Sequence, residues 1–188
     1  LRSLLLTSLM CGMFTVSALA EALPPGMKIH RLQAGEPDAS GWMVAISTEG
    51  GFSVRLPNKF NDYTVAESDP KAPVLRAYSV GTKSQEGIKF LATRIVYRKG
   101  AESAMYFFSR FEKGQGLGST PELITPHRTG GRQAVDLVLR RASDVSYQRI
   151  VLLGSDFILM IVDSPLSHDA TARHFATPFF ESLVVGTR

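Results

Sequence analysis

Three arginines in the C-terminal half carry the clearest chemical signal in this sequence. If residues 143–146 form a four-residue loop between two antiparallel strands, Arg140 lies directly opposite Arg149, with Arg141 beside them. Like charges that face each other on a sheet repel, so we expect an acidic group to neutralise them. One candidate is Asp163 on the following strand; the other is an acidic ligand or partner held by Arg140, Arg141 and Arg149.

Other residue types that perform chemistry are present without the spacing that chemistry needs. The histidines are scattered, and no pair of them has the spacing of zinc ligands; they are His30, His127, His168 and His174. Ser155 stands beside Asp156, which could suggest a hydrolase, but a hairpin loop Gly154-Ser155-Asp156 needs these same residue types for its backbone angles. We therefore predict no catalytic residue, no metal site and no cofactor.

A β-hairpin is the first element that the sequence indicates. In GWMVAISTEGGFSVRLP, mostly apolar residues 42–47 precede Glu49-Gly50-Gly51, which favours a tight reversal. The apolar residues Phe52, Val54 and Leu56 then alternate with polar ones, as in a strand that buries one face. Pro57 ends this strand, since proline has no backbone N–H for the ladder.

Further strands follow, and their pairing sets which faces are apolar. We expect strands at 27–32, 74–80, 88–97, 134–141, 147–153 and 157–162, with residues 58–73 as a loop. A three-residue loop at 154–156 places Leu152 opposite Ile158. The other face of the last strand, Phe157, Leu159 and Ile161, is apolar too and needs a cover.

Two helices are predicted by apolar residues at intervals of three and four. The first spans 101–111 and ends at Gly114, where a C-terminal glycine cap belongs. The second begins after Ser167 as N-cap, and we expect it to cover Phe157, Leu159 and Ile161. Pro178 interrupts its pattern, so either the helix kinks there or a second turn begins with Thr177 as its cap.

The N-terminal twenty residues have the features of a secretory signal. An uncharged, mostly apolar run follows Arg2 and ends in Ala18-Leu19-Ala20, a pattern that signal peptidase accepts. We predict a signal peptide at 1–20, an extended lead-in at 21–40 and one domain at 41–188; an uncleaved membrane anchor is the alternative. Cys11 is the only cysteine, so no disulfide is expected. The formal net charge of +4 is a mild excess, and nucleic-acid binding is not indicated.

The segments GGFSVRLP near the start of the domain and FFESLVV at its end, around a run of antiparallel strands, resemble bacterial secreted relatives of the photosystem II extrinsic PsbP-type proteins. The fold of that family is shared with a Ran-binding nuclear import factor. The resemblance implies an antiparallel sheet between helices and a non-catalytic role in binding or assembly. It transfers no site residue to this chain.

Together these features predict an α+β fold with a single antiparallel β-sheet flanked by helices, an α/β/α sandwich of PsbP-like type. We expect an exported, periplasmic or extracellular, non-enzymatic binding or accessory protein that acts through contacts with a protein partner. A carrier of a small apolar or acidic ligand, held in a pocket between helix and sheet, is the alternative. A hydrolase is a third and weaker hypothesis.

Overall fold

The structure, a computed structural model, describes residues 24–115, 117 and 119–186. The predicted signal peptide at 1–20, with Arg2 and Cys11, lies outside the described residues. No helix among those described is long and apolar enough to cross a membrane.

Eleven strands and two α-helices make up the described chain. The strands are β1 Met27–Ala34, β2 Met43–Ile46, β3 Phe52–Leu56, β4 Phe60–Ala66, β5 Val74–Lys83, β6 Lys89–Tyr97, β7 Leu123–Thr129, β8 Arg132–Arg140, β9 Asp144–Leu152, β10 Asp156–Pro165 and β11 Val184–Val185. The helices are α1 Ala101–Glu112 and α2 Asp169–Glu181, the latter entered through a 3-10 turn, Leu166–His168.

The strands form two antiparallel sheets, which corrects the expected single sheet. The large sheet has eight strands in the order β1-β4-β5-β6-β10-β9-β8-β7, and the small sheet has three in the order β11-β3-β2. The β2–β3 hairpin is confirmed, with Met43 paired to Leu56 and Ile46 to Ser53. The hairpin packs against one face of the large sheet, where Phe52, Val54 and Leu56 are almost fully buried.

Each face of the large sheet has its own core, and the helices are assigned to the faces differently from the expectation. On one face, Ala104 and Phe108 of α1 pack with Phe157, and Leu159 packs against the same cluster. On the other face, Ala176 and Phe179 of α2 pack with the small sheet and with residues of β10 such as Ile158, Met160 and Val162. The prediction that the last helix covers Phe157, Leu159 and Ile161 was therefore wrong.

The physical reason is a turn shorter by one residue. Phe157, and not Ile158, pairs with Leu152, and the N–H of Leu153 donates to the Asp156 carbonyl at 2.8 Å, so Gly154 and Ser155 alone form the turn. Side chains alternate between the two faces of a strand. A one-residue shift in register therefore places Leu152 on the face of β10 that carries Phe157, and not on the face that carries Ile158. Asp156 becomes the first residue of β10 and is buried.

The register of β8 against β9 was also wrong. In place of the predicted four-residue loop at 143–146, the turn consists of Ala142 and Ser143, since the N–H of Arg141 donates to the Asp144 carbonyl at 2.8 Å. Arg149 consequently lies opposite Asp136, and Arg140 lies opposite Val145. The expected clash between Arg140 and Arg149 does not occur.

One strand lies where the sequence indicated a loop, and another lies in a stretch for which no element was predicted. β4 occupies much of the predicted loop at 58–73, and β7 precedes β8. Asp62 and Pro126 are the reason that these strands were not predicted, because aspartate is depleted in strands and proline is confined to their edges and bulges. β7 is an edge strand, and Asp62 in β4 is fully buried.

The structure confirms the predicted end of α1 but not the predicted N-cap of α2. At the end of α1 the N–H of Gly114 donates to the Phe111 carbonyl at 2.9 Å and that of Gln115 to the Arg110 carbonyl at 2.8 Å, which confirms the glycine cap. Ser167 is not the N-cap of α2: His168 occupies that position, with no side-chain capping bond. The helix continues through Pro178 to Glu181.

Buried charges fasten the β2–β3 turn to the large sheet. The Asp62 carboxylate accepts the Thr48 N–H at 3.0 Å as well as Arg31 Nη2 at 2.9 Å. On the other side, Arg94 Nε donates to Asp156 Oδ2 at 2.6 Å and its Nη1 donates to the Gly50 carbonyl at 2.9 Å. The turn is thus held from β4 and from β6, which fixes the small sheet over the core.

Candidate functional site

The helix-facing surface of β8 and β9 beside α2 brings the predicted arginines into one region. Helix α2 packs on β10, β9 and β3, so the helix-facing side of β8 lies at its margin. There Arg140 is exposed and Arg149 half-buried. We call this surface the arginine ledge and define it by Arg140, Tyr147, Arg149, Asp169 and Arg173.

Strand alternation explains why these side chains share one face. Tyr147 lies in the core beneath α2, and Val138, its partner in the register, packs against the same core. Residues two positions away point the same way, so Arg140 and Arg149 face α2 as well. Their contacts with Asp169 and Phe180 of α2 agree with this assignment.

Asp169, the first residue of α2, is the centre of the outer half of the ledge. Its carboxylate accepts hydrogen bonds from the Tyr147 hydroxyl and from Arg140 Nη2, the latter at 2.9 Å. The Tyr147 hydrogen bond and then the Arg140 guanidinium hold the pKa of Asp169 below its usual value. The positive end of the helix favours the same ionised form.

Arg140 and Arg173 complete the outer half. Arg140 Nε donates to Glu122 Oε2 at 2.9 Å, so this guanidinium bridges two carboxylates. Arg173 Nε donates to the Tyr147 hydroxyl at 3.2 Å, and its guanidinium carbon lies 6.0 Å from the centre of the tyrosine ring. Beside them is an open depression lined by Asp169, Ala170, Arg173 and His174.

The inner half is a nearly buried ion pair. Arg149 Nε and Nη2 each donate to one oxygen of Asp136 at 2.7 Å, and the guanidinium lies 5.2 Å from the centre of the Phe180 ring. The Arg149 side chain is only 13% exposed. His127 Nε2 lies 3.9 Å from Asp136 Oδ1, at the distance of an ion pair when the histidine is protonated.

The structure thus brings two of the three predicted site residues together. Arg140 and Arg149 share the ledge, whereas Arg141 forms its own exposed pair with Asp144 at 2.6 Å on the β8–β9 hairpin. Internal carboxylates do neutralise the arginines, but the partner of Arg149 is Asp136 and not the expected Asp163. That Arg140, Arg141 and Arg149 bind an anion or a partner remains a prediction.

Sequence reasoning missed Glu122, Asp136, Tyr147 and Arg173 as members of this region. The one available signal in the sequence is Asp169, an acidic residue close to the predicted start of the last helix. Across the described ranges no group of three or more histidine, cysteine, aspartate or glutamate side chains could hold a metal ion. The ledge offers guanidinium, carboxylate and phenol groups, a set suited to binding other charged groups.

No family model matches this sequence, and no curated protein matches it. Solved structures with a similar fold include the following three. Cyanobacterial PsbP of Synechocystis has 9% identity and a TM-score of 0.47 over 81% of this chain and 96% of its own. A protein of Bacteroides thetaiotaomicron has 11% identity and a TM-score of 0.43 over 73% of this chain and 46% of its own.

LpqN of Mycobacterium tuberculosis, described as involved in cell envelope biogenesis, has 14% identity and a TM-score of 0.37 over 88% of each chain. Identities of 9–14% with TM-scores below 0.5 leave the function of this chain to its own residues. The solved structures that resemble it include a PsbP protein, from the family that its sequence resembles.

Proposed function

We propose that this chain is an exported, non-enzymatic binding or accessory protein that acts through protein–protein contacts at the arginine ledge. The observation that carries the proposal is Leu123, whose surface is 54% exposed beside the ledge. Leu123 pairs with Val138 in the register, between Arg140 and Asp136 on the same face of β8. An exposed apolar centre with charged groups around it has the composition of a protein-binding surface.

The charge arrangement favours a protein over a small anion. Arg140 already contacts Glu122 and Asp169, and Arg149 is bound by both oxygens of Asp136. A small acidic ligand has to displace one of these carboxylates to reach a guanidinium. A protein surface can instead add complementary groups of both signs around the existing pairs while it covers Leu123.

The alternative, a carrier of an acidic ligand, is favoured by the depression at the start of α2, where Arg173 and His174 offer positive groups. Two observations weigh against it. The depression is open to solvent, whereas small-molecule sites enclose most of their ligand. Asp169 lines it, and an ionised carboxylate repels an anion at close range.

A photo-crosslinking amino acid at position 123 tests the proposal directly. In the native envelope fraction we expect it to form one defined protein adduct. The same amino acid at Met105, which is 49% exposed on α1 across the sheet, is the control and should not form this adduct. Mass spectrometry of the adduct identifies the partner.

Charge reversal links that adduct to the ledge. Arg140→Glu in the position-123 protein should abolish the adduct, because a glutamate at position 140 cannot pair with Glu122 and Asp169. Arg55→Glu is the matched control, since Arg55 is 41% exposed and pairs with Asp38 beside the small sheet. An adduct that survives Arg140→Glu, or that forms equally from position 105, contradicts the proposal. Native mass spectrometry that shows a retained small molecule favours the carrier.

A further inference from the structure

One end of the large sheet carries cations that form no ion pair with a carboxylate among the described residues. We call it the basic end and define it by Arg76, Arg98, Lys99, Arg128 and Arg132, all exposed. Arg76 lies at the start of β5, Arg98 and Lys99 follow β6, and Arg128 and Arg132 flank the turn between β7 and β8.

The strand register shows that these positions share an end. Arg94, near the C-terminal end of β6, aligns with Ile158 near the start of β10. Ile158 aligns with Val151 near the end of β9, and Val151 aligns with Ala134 near the start of β8. The end of β6 and the β7–β8 turn therefore lie at the same side of the sheet, opposite the β8–β9 hairpin with its ion pairs.

Backbone oxygens hold three of the guanidinium groups, and the fourth, that of Arg76, donates to the Tyr78 hydroxyl at 3.5 Å. Arg98 donates to the carbonyl oxygens of Glu67, Asp69 and Ala72 at 3.0–3.2 Å. Carbonyl contacts orient a guanidinium without cancelling its charge. Arg98 therefore keeps a fixed position and a full positive charge at the surface.

The hairpin arginines behave in the same way. Arg128 donates to the Gly131 carbonyl, and Arg132 Nη1 donates to the Gly130 carbonyl at 3.5 Å. Within the part of the chain that the structure describes, no ion pair joins any member of the basic end to a carboxylate. On the ledge, by contrast, Arg140 pairs with two carboxylates and Arg149 pairs with one.

The basic end keeps an excess of positive charge after its acidic neighbours are included. Glu67 and Asp69 stand in the β4–β5 loop and Glu102 in the first turn of α1, while Lys71 adds a further cation to that loop. The described acidic side chains of these segments are therefore fewer than the basic ones.

Its cations form a row along one end of the sheet. Four strand spacings separate β5 from β8, which is roughly 19 Å at the usual distance between neighbouring strands. The turn between the two groups of cations consists of the small exposed residues Gly154 and Ser155, which leave room for a flat surface to approach. A small ligand reaches only one or two cations of a row this long, whereas an extended anionic surface can contact more of them at once.

We propose that the basic end binds the surface of a bilayer that contains anionic phospholipids. Basic residues near such a surface each add to the attraction, and salt screens it. Single-stranded nucleic acid is the competing polyanion. The turns at 67–73, 98–100, 128–133 and 153–155 contain no aromatic residue on which a base could stack, so the bilayer is favoured.

Sedimentation of the full chain with vesicles tests this proposal. One set of vesicles contains phosphatidylcholine alone and the other also contains phosphatidylglycerol. We expect stronger binding to the second set, falling as salt is added. Arg128→Gln with Arg132→Gln should weaken that binding by roughly 30-fold, about fivefold for each basic residue removed.

The matched control is Lys83→Gln with Lys113→Gln, which removes the same charge at exposed positions outside the basic end. It should retain binding, and both double variants should keep the melting temperature and the Trp42 fluorescence of the parent. Equal binding to the two vesicle types, an equal loss in the control variant, or binding to a single-stranded DNA oligomer without binding to vesicles would each overturn the proposal.

Discussion

Arg149 lies directly opposite Asp136 on adjacent strands, and its Nε and Nη2 each donate to one carboxylate oxygen at 2.7 Å. The pair neutralises an arginine side chain that is only 13% exposed beneath α2. It also ties β8 and β9 to α2, because the same guanidinium lies over Phe180.

Removal of the carboxylate alone should be costly. Asp136→Asn leaves the Arg149 charge poorly paired, and we expect the free energy of unfolding to fall by about 2 kcal/mol in urea denaturation. Asp136→Leu combined with Arg149→Met should recover most of that loss, since an apolar pair needs no compensation at this half-buried position. A double variant no more stable than Asp136→Asn would contradict this account.

The buried pair at the β2–β3 turn should matter more than an exposed pair of similar geometry. Arg94 and Asp156 have side chains 9% and 3% exposed, and their closest atoms are 2.6 Å apart. Asp156→Asn should lower the free energy of unfolding by about 3 kcal/mol, because Arg94 stays buried without its counter-ion.

Asp144→Asn is the matched control for that change. Its pair with Arg141 has the same 2.6 Å separation but is 34–44% exposed, so the loss should stay below about 1 kcal/mol. Comparable losses in the two variants would show that burial is not the deciding factor.

Two glycines with similar backbone angles allow the energetic cost of a steric clash to be measured apart from the cost of backbone strain. Gly26 and Gly41 have φ values of 80° and 83°. A Cβ at Gly26 would lie 2.2 Å from the Ala66 carbonyl oxygen, whereas one at Gly41 meets nothing within 4 Å. Gly41→Ala should cost about 1 kcal/mol from strain alone, and Gly26→Ala clearly more. Thermal unfolding measures both, and equal losses would contradict the clash.

Alkaline pH should destabilise the fold through buried tyrosines. Burial raises the pKa of Tyr63 to about 12 from its ordinary value near 10. The unfolded chain therefore loses this proton first, so the stability is fully present below about pH 10 and is lost as pH rises towards 12. The pKa of buried Tyr97 is raised as well.

Tyr63→Phe should reduce the drop in melting temperature between neutral and alkaline buffers, because its unfolded state has one fewer phenol to ionise. Tyr106→Phe is the control, since Tyr106 is 57% exposed, and it should leave the drop unchanged. An unaltered drop in Tyr63→Phe would show that this phenol is not the titrating group.

Local patterns in the sequence predicted elements well where they agreed with packing. The alternation of Phe52, Val54 and Leu56 correctly indicated a strand with one buried face. Apolar spacing and Gly114 correctly placed α1 and its end. These features depend on nearest neighbours along the chain, which a single sequence contains.

Strands with an unusual buried residue were not predictable in the same way. Asp62 is of a residue type that favours loops, yet it lies in an interior strand because Arg31 and the Thr48 backbone, both distant in sequence, satisfy its carboxylate. The arginine ledge was only partly predictable for the same reason, since Asp169 and Asp136 reach Arg140 and Arg149 only through the fold.

By itself, the sequence determined where most strands and helices lie, that both faces of β10 are apolar, and that no disulfide supports the fold. Only the tertiary structure decided which helix covers which face, that a second sheet forms, and which carboxylate each arginine meets. The reason is that apolar alternation has a period of two residues, so a turn shorter by one residue exchanges the two faces without changing the pattern along the chain.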